Sequence, residues 1–402
     1  MAIHTAEVIP PLVKPEQVFA FDIYADPRIE DDVQGCYAAA LRDAPDVFWT
    51  PLNGGHWVVQ RHDIIAQVVK NPAVFSAREM QIPRVENPPF MIPLSLDPPE
   101  NMGYRHVLMP KFSPRAVTDL RAEMRDMAAE IVADVANKGA CDFVEDVAAR
   151  FPVSGFMKLM GLPLEKLREF RIIADRHFKA RTNEEHQASS AEIFAIFREL
   201  IAFRRETPGD DLISHFLTAE VEGRKLSDDE VLAMCFVLFL GGMDTVTNVT
   251  SFTFRQLAKD PVLQQRLAAE PSLLPRFVEE GLRMFGVIGT PRLVVQDFDA
   301  FGVSFRKGEM VLNALWQSGR DDTKLDRPNE FDIDREQMPH LNFSTGPHMC
   351  LGHALARAEM AILTEEWLKQ VPAFSAKPGV RHGFRIGLVV AIESLPLEWH
   401  PA

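Results

Sequence analysis

The sequence has few cysteines, and their spacing argues against two common kinds of site. Four occur in 402 residues, at Cys36, Cys141, Cys235 and Cys350, and no two of them form a CxxC pair. A zinc site or a disulfide framework needs clustered or regularly spaced cysteines. We therefore expect neither, and the scattered thiols fit a protein of the reducing cytoplasm.

The sequence also lacks an excess of positive charge. Lysine and arginine total 43 against 57 aspartates and glutamates, which gives a formal net charge of −14. Phosphate backbones and anionic membranes attract basic surfaces. We therefore expect neither nucleic acid nor a membrane surface as a partner.

No segment has the composition of a secretion signal or a membrane anchor. Residues 1–17 contain three prolines and several charged side chains in place of an apolar core. The longest apolar run, Val231–Met243, includes two glycines and is shorter than the roughly 20 residues that a membrane-spanning helix needs. The expected location is the cytoplasm.

Helical periodicity dominates what is present, and the predicted fold is mostly α with a minor β region, in one domain over residues 1–402. Short runs of β-forming residues predict a hairpin at Asn53–Gln60 and strands between Val294 and Val311. A capping box, Ser227 with Glu230, starts the longest predicted helix. The predicted helices cover 115–136, 142–160, 164–180, 189–206, 228–258, 272–285 and a last stretch from just after Cys350 to about Gln370.

Residues 75–99 form a proline-rich segment between the hairpin and the first predicted helix. Proline lacks the amide donor that a helix needs, so this density of proline predicts a long irregular loop. Its apolar side chains favour a packed lid over a disordered linker. The prolines are Pro83, Pro88, Pro89, Pro93, Pro98 and Pro99.

Cys350 has the local context of a reactive thiol. It ends the glycine-containing loop Phe343-Ser-Thr-Gly-Pro-His-Met-Cys-Leu-Gly352 and directly precedes an amphipathic helix. Backbone amides and the positive end of the helix dipole are expected to favour the thiolate. Gly346 allows a tight turn, and Gly352 allows a flat ligand to approach the backbone. A buried structural cysteine is the alternative, and this context argues against it.

The loop resembles the signature of the cytochrome P450 family, Phe-x-x-Gly-x-His-x-Cys-x-Gly, at every fixed position. Two other family marks follow the same order, because Glu280-x-x-Arg283 and Arg335 match a structural glutamate–arginine–arginine trio. Taken alone, the glutamate and its arginine would more often form a solvated surface pair. The resemblance implies the P450 fold, haem b, and Cys350 as the axial ligand of its iron.

Gly241-Gly-Met-Asp244-Thr245 lies midway along the longest predicted helix. Two glycines inside a helix cost roughly 1 kcal/mol each relative to alanine, so some function should compensate. The resemblance implies that Thr245 hydrogen-bonds iron-bound dioxygen, that Asp244 relays protons, and that Gly241 makes room for the haem. The alternative is a local kink in which Thr245 bonds a preceding carbonyl.

The resemblance also assigns partners to the haem carboxylates. Asp97-Pro-Pro-Glu100 leads to Asn101 and Arg105, where the family has a histidine or glutamine followed four residues later by an arginine. Arg292 and His348 match two further partners. Asn101 is thus a substitution in an otherwise matching set, and Phe343 and Gly352 complete the predicted cofactor-binding residues.

The resemblance is closest to the camphor-hydroxylase branch of bacterial enzymes, but the predicted substrate pocket departs from it. A loop tyrosine of that branch is replaced by Pro89, or by Phe90 if the loop is shifted by one residue, and a nearby aromatic residue by Gln81. The substitutions argue against camphor and favour another small hydrophobic substrate, such as a terpenoid or norisoprenoid. The remaining predicted wall residues are Val237, Leu240, Ile288, Leu388 and Val389.

The sequence contains no glycine-rich flavin or nicotinamide fingerprint, so electrons are expected from outside the chain. The resemblance implies a 2Fe–2S ferredoxin and a flavin reductase, with Arg105 and Arg357 facing the ferredoxin; a plain surface charge is an equal alternative for Arg357. We expect a monomer that hydroxylates its substrate with O2. The alternatives are an aromatic or fatty-acid substrate, a peroxygenase, against which Asp244–Thr245 argues, and a non-catalytic haem-binding sensor.

Overall fold

The computed structural model describes residues 9–30, 32–85, 88–180, 182–380 and 382–401. The chain forms two compact units, each assembled from separate stretches of sequence. The first unit comprises Met1–Val85, Arg276–Cys350 and Arg381–Glu393, and the second comprises Glu86–Pro275, Leu351–Val380 and Ser394–Ala402. The prediction of one domain over the whole chain stays a prediction.

Helices make up most of the described structure, as predicted. Short 3₁₀ turns precede several of them, and a π-helical turn covers Val144–Ala148. The helices are α1 (Val33–Ala40), α2 (His62–Val69), α3 (Glu100–Phe112), α4 (Pro114–Ala136), α5 (Arg150–Met160), α6 (Leu167–Lys179), α7 (Asn183–Glu206), α8 (Leu212–Thr218), α9 (Asp228–Met243), α10 (Thr245–Leu257), α11 (Pro261–Ala269), α12 (Leu274–Met284), α13 (Leu315–Ser318) and α14 (His353–Gln370).

The strands are short, and the longest has five residues. They form one five-stranded sheet, one three-stranded sheet and three two-stranded pairs among the described residues. The strands are β1 (Val47–Thr50), β2 (His56–Val59), β3 (Phe75–Ser76), β4 (Ala140–Asp142), β5 (Glu220–Val221), β6 (Arg224–Lys225), β7 (Thr290–Val294), β8 (Phe298–Ala300), β9 (Val303–Phe305), β10 (Met310–Asn313), β11 (Ser375–Ala376), β12 (Phe384–Arg385), β13 (Ala391–Ile392) and β14 (Pro396–Glu398).

The first unit is built around the five-stranded sheet, in the order β1-β2-β10-β7-β3. The predicted hairpin at Asn53–Gln60 is confirmed in part, because β2 covers its second half and pairs antiparallel with β1. Trp57 of β2 is fully buried, and its ring centre lies 5.5 Å from the ring centres of both Trp49 and Phe305. Aromatic rings on a half-buried pleated surface supply most of the apolar contact area that holds such a small sheet together.

The second unit is a helical assembly in which α9 is the central element. Helices α5, α6, α7 and α8 pack against α9, and α14 packs along α4. The buried face of α9 carries Phe236, Phe239 and Met243. Its first turn is closed by the predicted capping box, in which Ser227 accepts a hydrogen bond from the amide of Glu230. The core of this unit therefore fixes the axis of α9.

The predicted helix over 228–258 is wrong in one respect: it is two helices. Helix α9 ends at Met243 and α10 starts at Thr245, with Asp244 between them at φ −134° and ψ −36°. The two glycines just before Asp244 weaken the helix at this point because they add conformational freedom to the backbone. The predicted rod is thus broken beside the residues predicted to handle protons.

Other helix boundaries also differ from the prediction. The segment 142–160 begins as strand β4 and a π-helical turn before α5, and α7 starts six residues before the predicted 189. The early start has a capping box that the prediction missed, Thr182 with Glu185. Helix α3 was not predicted, because Gly103 and Pro110 within it discourage a helix.

The helical stretch Asp228–Leu257 is long and apolar enough to cross a membrane by length and composition alone. Half of its most apolar segment is buried inside the protein. The core helix of a globular protein passes the same test, so this stretch is weak evidence for a membrane span.

Candidate active site

The Cys350 loop is held in a fixed shape at the end of the first unit. The amide of Cys350 donates to the carbonyl of Phe343 at 2.8 Å, which closes the loop into a ring of backbone. Ser344 and Gly346 both have positive φ, at 57° and 71°. The Cys350 side chain itself is exposed. The loop therefore presents a sulfur that a large ligand can reach.

The helix that follows the loop begins where the prediction placed it. Helix α14 starts at His353, three residues beyond Cys350, with Gly352 at its N-cap. The amide of Cys350 is already used in the loop, so the amides of the first turn of α14 are the ones that add positive potential near the sulfur.

Two predicted carboxylate partners lie buried in the first unit. Arg292, on β7, is 1% exposed and donates to the carbonyl of Pro291 at 2.7 Å. His348, in a 3₁₀ turn of the Cys350 loop, is 8% exposed. Thr290 stands two residues before Arg292, so both side chains leave the same face of the strand. Its hydroxyl oxygen is buried and has no hydrogen-bond partner among the described residues.

In the second unit, Asn101 and Arg105 lie four residues apart on α3, so they share one face of the helix. Asn101 is fully buried, and neither its amide nitrogen nor its carbonyl oxygen has a hydrogen-bond partner among the described residues. A buried carboxamide without partners costs about 1–3 kcal/mol. A bound carboxylate would accept a hydrogen bond from the amide nitrogen and so offset part of this cost, which fits a haem carboxylate at this helix face.

The break between α9 and α10 lies at the predicted acid–alcohol residues, Asp244 and Thr245. The hydroxyl of Thr245 donates to the carbonyl of Gly241 at 3.0 Å. This is the bond of the alternative interpretation, a local kink, and it is compatible with the predicted role. A hydroxyl whose hydrogen is already donated offers its oxygen as an acceptor to anything bound beside it.

The two glycines of α9 have different surroundings. A Cβ added at Gly242 would meet the ring of Phe156 at 2.4 Å, so this glycine is required by helix packing within the second unit. A Cβ added at Gly241 would meet nothing within 4 Å. The space beside Gly241 is therefore open, as expected if a ligand lies there.

The open face of α9 continues along the predicted pocket residues. Val237 and Leu240 are only partly buried, whereas their neighbours Phe236 and Phe239 are buried. Val237, Leu240, Gly241 and Asp244 recur at helical spacing, so they form one stripe. An apolar stripe left open in the middle of a core helix is typical of a ligand cavity.

The predicted wall residues of the first unit also come together. Ile288 forms an isolated antiparallel bridge with Val389. The amide of Gly289 donates to the carbonyl of Leu388 at 2.9 Å, which ties the segment before β7 to the turn between β12 and β13. These three apolar side chains are each partly buried.

The lid segment 75–99 is irregular except for strand β3 and lies partly outside the described residues. The ring of Phe90 is 53% exposed, whereas Pro89 is partly buried, which favours Pro89 of the two alternatives for the pocket. Gln81 is partly buried, and its carbonyl oxygen has no hydrogen-bond partner among the described residues.

Glu280, Arg283 and Arg335 form the predicted trio, and it is not a surface pair. Arg283 holds both carboxylate oxygens of Glu280, at 2.6 and 2.7 Å, and Arg335 approaches one of them at 3.3 Å. The side chains of Glu280 and Arg283 are fully buried. The arginines also donate to several backbone carbonyls around Gly319 and Asp326. The trio thus locks the segments that precede the Cys350 loop.

Arg357, predicted to face a ferredoxin, lies on the first turns of α14 and is partly buried. Its guanidinium is 3.2 Å from Nδ1 of His353 and donates to the carbonyl of the same residue at 3.3 Å. These contacts hold the guanidinium of Arg357 against the first turn of α14, its own helix.

Many buried polar groups escaped the prediction, among them the side chains of Glu359 and His177 and the hydroxyl of Thr290. Burial raises the pKa of Glu359, on α14, to about 8, and lowers that of His177, on α6, to about 4. Of these three, only Thr290 had a signal in the sequence, its position two residues before Arg292 in a strand, because the burial of single polar side chains depends on tertiary packing.

Comparisons with known proteins agree with this arrangement. The family model described as Cytochrome P450 matches residues 111–372. The chain is 31% identical to "Probable cytochrome P450 127A1" of Sinorhizobium fredii over 97% of both chains. It is 31% identical to "Mycinamicin IV hydroxylase/epoxidase" of Micromonospora griseorubida over 80% of this chain and 83% of that protein. The solved structure of CYP101J2 matches with a TM-score of 0.88 and 32% identity, over 98% and 99% of the two chains.

Proposed function

This chain belongs to the cytochrome P450 family, and on that premise we propose that it hydroxylates a small hydrophobic terpenoid or norisoprenoid with electrons from a ferredoxin. The family's members are haem-thiolate monooxygenases that use O2. The observation that carries the substrate proposal is the apolar stripe of α9, Val237 and Leu240, left partly open within a packed unit.

The haem, when bound, supplies the activation of dioxygen and a thiolate-ligated iron that favours O–O cleavage. Cys350 provides the sulfur from an exposed position at the end of its loop. Asn101, Arg105, Arg292 and His348 are proposed to hold the haem carboxylates. The unpartnered carboxamide of Asn101 supports this assignment, because it requires a hydrogen-bonding group from outside the described chain.

Thr245 and Asp244 are proposed to manage protons during the reaction. The hydroxyl of Thr245 keeps its hydrogen on Gly241 and presents an oxygen that accepts a hydrogen bond. Asp244 lies in the break between the two helices, directly before Thr245, and is proposed to relay protons. A positioned proton donor accelerates a reaction more than bulk water does, because the donor is already oriented for the transfer.

Replacing Thr245 by alanine tests this role. Thr245→Ala should bind haem and substrate as the parent does, but most of the electrons consumed should appear as hydrogen peroxide, a fall in coupling of about 10-fold or more. The measurement compares NADH consumed, product formed and peroxide released in a reconstituted ferredoxin system. Thr253→Ala, a buried threonine that bonds the carbonyl of Val249, is the matched control and should stay coupled. Full coupling in Thr245→Ala would contradict the assignment.

The substrate class is tested by titrating the ferric protein with terpenoids and norisoprenoids. A ligand that displaces water from the iron shifts the haem spectrum from low to high spin. We expect a large shift with at least one such skeleton. Shifts only with aromatic or fatty-acid ligands would replace the terpenoid proposal with one of those alternatives.

The electron source has its own test. Turnover with NADH, ferredoxin and reductase, but not with hydrogen peroxide alone, is expected for a monooxygenase with an intact acid–alcohol pair. Efficient turnover with peroxide would favour a peroxygenase, and haem binding without turnover in either system would favour a sensor. We propose a cytoplasmic monomer, and sedimentation analysis of the purified protein tests the oligomeric state.

A further inference from the structure

A polar cluster lies within the apolar core of the second unit, where α6 and α7 pack on α9. His177, on the last turn of α6, is 5% exposed, and its ring contacts the ring of Phe236 of α9 at 5.5 Å. The ring of His186, on α7, lies 5.4 Å from that of His177. These residues play no part in the haem-binding or proton-transfer roles described above.

The hydrogen bonds of Ser189 favour the tautomer of His177 that carries its hydrogen on Nδ1. Ser189 donates its single hydroxyl hydrogen to the backbone carbonyls of Glu185 and His186, at 2.9 and 3.1 Å. The Ser189 oxygen lies 3.0 Å from Nδ1 of His177, and the tautomer with its hydrogen on Nδ1 is the one that lets this oxygen accept while the hydroxyl donates to a carbonyl. Burial lowers the pKa of His177 to about 4, so the ring is neutral at pH 7. The remaining nitrogen, Nε2, is left as a hydrogen-bond acceptor.

The same face of α7 carries two more polar groups that lack partners. Asn183, His186 and Ser190 recur at helical spacing, and the apolar Phe194 and Phe197 continue the stripe. Ser190 is 5% exposed, and neither its hydroxyl nor the carbonyl oxygen of Asn183 has a hydrogen-bond partner among the described residues. Buried polar groups normally have a hydrogen-bond partner, so these two can accept one from a bound molecule or from ordered water.

We propose that His177 and Ser190 form a polar subsite that holds a hydroxyl group of the substrate. The hydroxyl donates to Nε2 of His177, and its oxygen accepts from Ser190. The proposal rests on the proposed function and deepens it: the substrate is an alcohol, not a pure hydrocarbon.

The position of the cluster fits a substrate held at one end and oxidised at the other. Phe236, which contacts His177, stands one turn before Leu240 of the open stripe of α9 and eight residues before Asp244. Eight residues at a rise of about 1.5 Å each cover roughly 12 Å. This rise is the separation of Phe236 and Asp244 along α9, and an extended terpenoid skeleton has a comparable length.

The test uses matched pairs of ligands and the haem-loaded protein. One pair is a monoterpene alcohol and the hydrocarbon of the same skeleton; the other is a long-chain alcohol and its alkane. Dissociation constants are read from the spin-state shift. The parent should bind the alcohol of a pair about 2- to 10-fold more tightly than the hydrocarbon, as expected for one hydrogen bond.

Two variants assign that preference to the cluster. His177→Phe keeps a ring against Phe236 but has no acceptor, so the affinity ratio should fall to about one while the hydrocarbon binds as before. Ser190→Ala removes only an oxygen and decides the question if His177→Phe fails to fold. His215→Phe is the control, because His215 bonds the carbonyl of Val107 outside the cluster and should keep the ratio.

Each outcome has one meaning. An alcohol preference lost in both cluster variants supports the subsite. A ratio that neither variant changes overturns it and leaves the cluster as a site for bound water alone. If the terpenoid pair fails and the long-chain pair binds, the terpenoid proposal falls, and the ratio within the long-chain pair still decides the subsite. Failure of both pairs to bind contradicts both proposals.

Discussion

Two buried glutamates, one in each unit, show two ways of keeping a carboxyl group away from water. Glu280 of the first unit is fully buried and held by Arg283 and Arg335. Glu359 of the second unit is 5% exposed, and the described residues provide it with no ion pair. Burial therefore raises its pKa to about 8.

The difference shows that burial alone does not decide the charge of a group. Paired charges that also satisfy their remaining hydrogen bonds can stay ionised in a core, whereas a lone carboxyl takes up a proton. Glu280, held by both guanidinium groups, organises the segments around it. Glu359 is expected to be neutral over most of the physiological range and to respond to pH.

The largest expected effect comes from breaking the paired glutamate. Glu280→Ala leaves two buried guanidinium groups without their anion and should lower the free energy of unfolding by about 3–5 kcal/mol. Urea unfolding of the haem-loaded protein measures this change in the free energy of unfolding. Glu279→Ala, on the same helix but with a side chain 32% exposed, is the control and should cost far less. Equal losses in the two variants would contradict the distinction.

The second prediction concerns the lone glutamate and pH. The folded-state pKa of Glu359 lies above the ordinary value of 4.5. The protonated side chain therefore makes its full contribution to the free energy of unfolding below pH 4.5, and this contribution is lost as the pH rises towards 8. This amounts to roughly 4 kcal/mol between pH 5 and 8. Glu359→Gln should remove that slope from the unfolding free energy.

The control for the pH slope is Glu365→Gln, on the same helix. Arg125 and Lys369 bind Glu365, and these hydrogen bonds more than offset partial burial and lower its pKa. This variant should therefore keep the slope of the parent above pH 5. An unchanged slope in Glu359→Gln would show that Glu359 is ionised in the folded state.

The smallest expected effect is at the rim of the paired cluster. Arg327 contacts Glu330 at 2.8 Å and Asp332 at 3.2 Å, but its side chain is 60% exposed. Solvent screens such pairs, so Arg327→Ala should change the free energy of unfolding by less than about 1 kcal/mol. A loss as large as that of Glu280→Ala would mean that the network extends to the surface.

The same contrast explains what could be predicted from the sequence. The Cys350 loop and the trio of Glu280, Arg283 and Arg335 match motifs of the family, so the resemblance predicted them. Glu359 lies among the residues of a correctly predicted helix, yet nothing local marks it as buried. The charge state of a single side chain depends on which elements pack around it, and that information is tertiary.

Helix boundaries failed for a related reason. Helix α3 contains Gly103 and Pro110, which local propensity treats as helix breakers. The structure explains the glycine, because a Cβ there would come within 2.6 Å of Val221. Burial of its own Leu108 and Phe112 in the core outweighs the unfavourable propensity. At Asp244 the prediction made the opposite error and expected a continuous helix, because a strong helical periodicity continues on both sides of the break.

Gly241 illustrates a trade-off between stability and activity. An alanine there would meet no neighbour within 4 Å, so the protein itself has no steric reason to exclude one. Alanine would strengthen the end of α9 by up to about 1 kcal/mol. It would also occupy space proposed for the reacting molecules. At this position, selection for a firmer fold and selection for turnover pull in opposite directions, and improving thermal stability here would be expected to reduce catalysis.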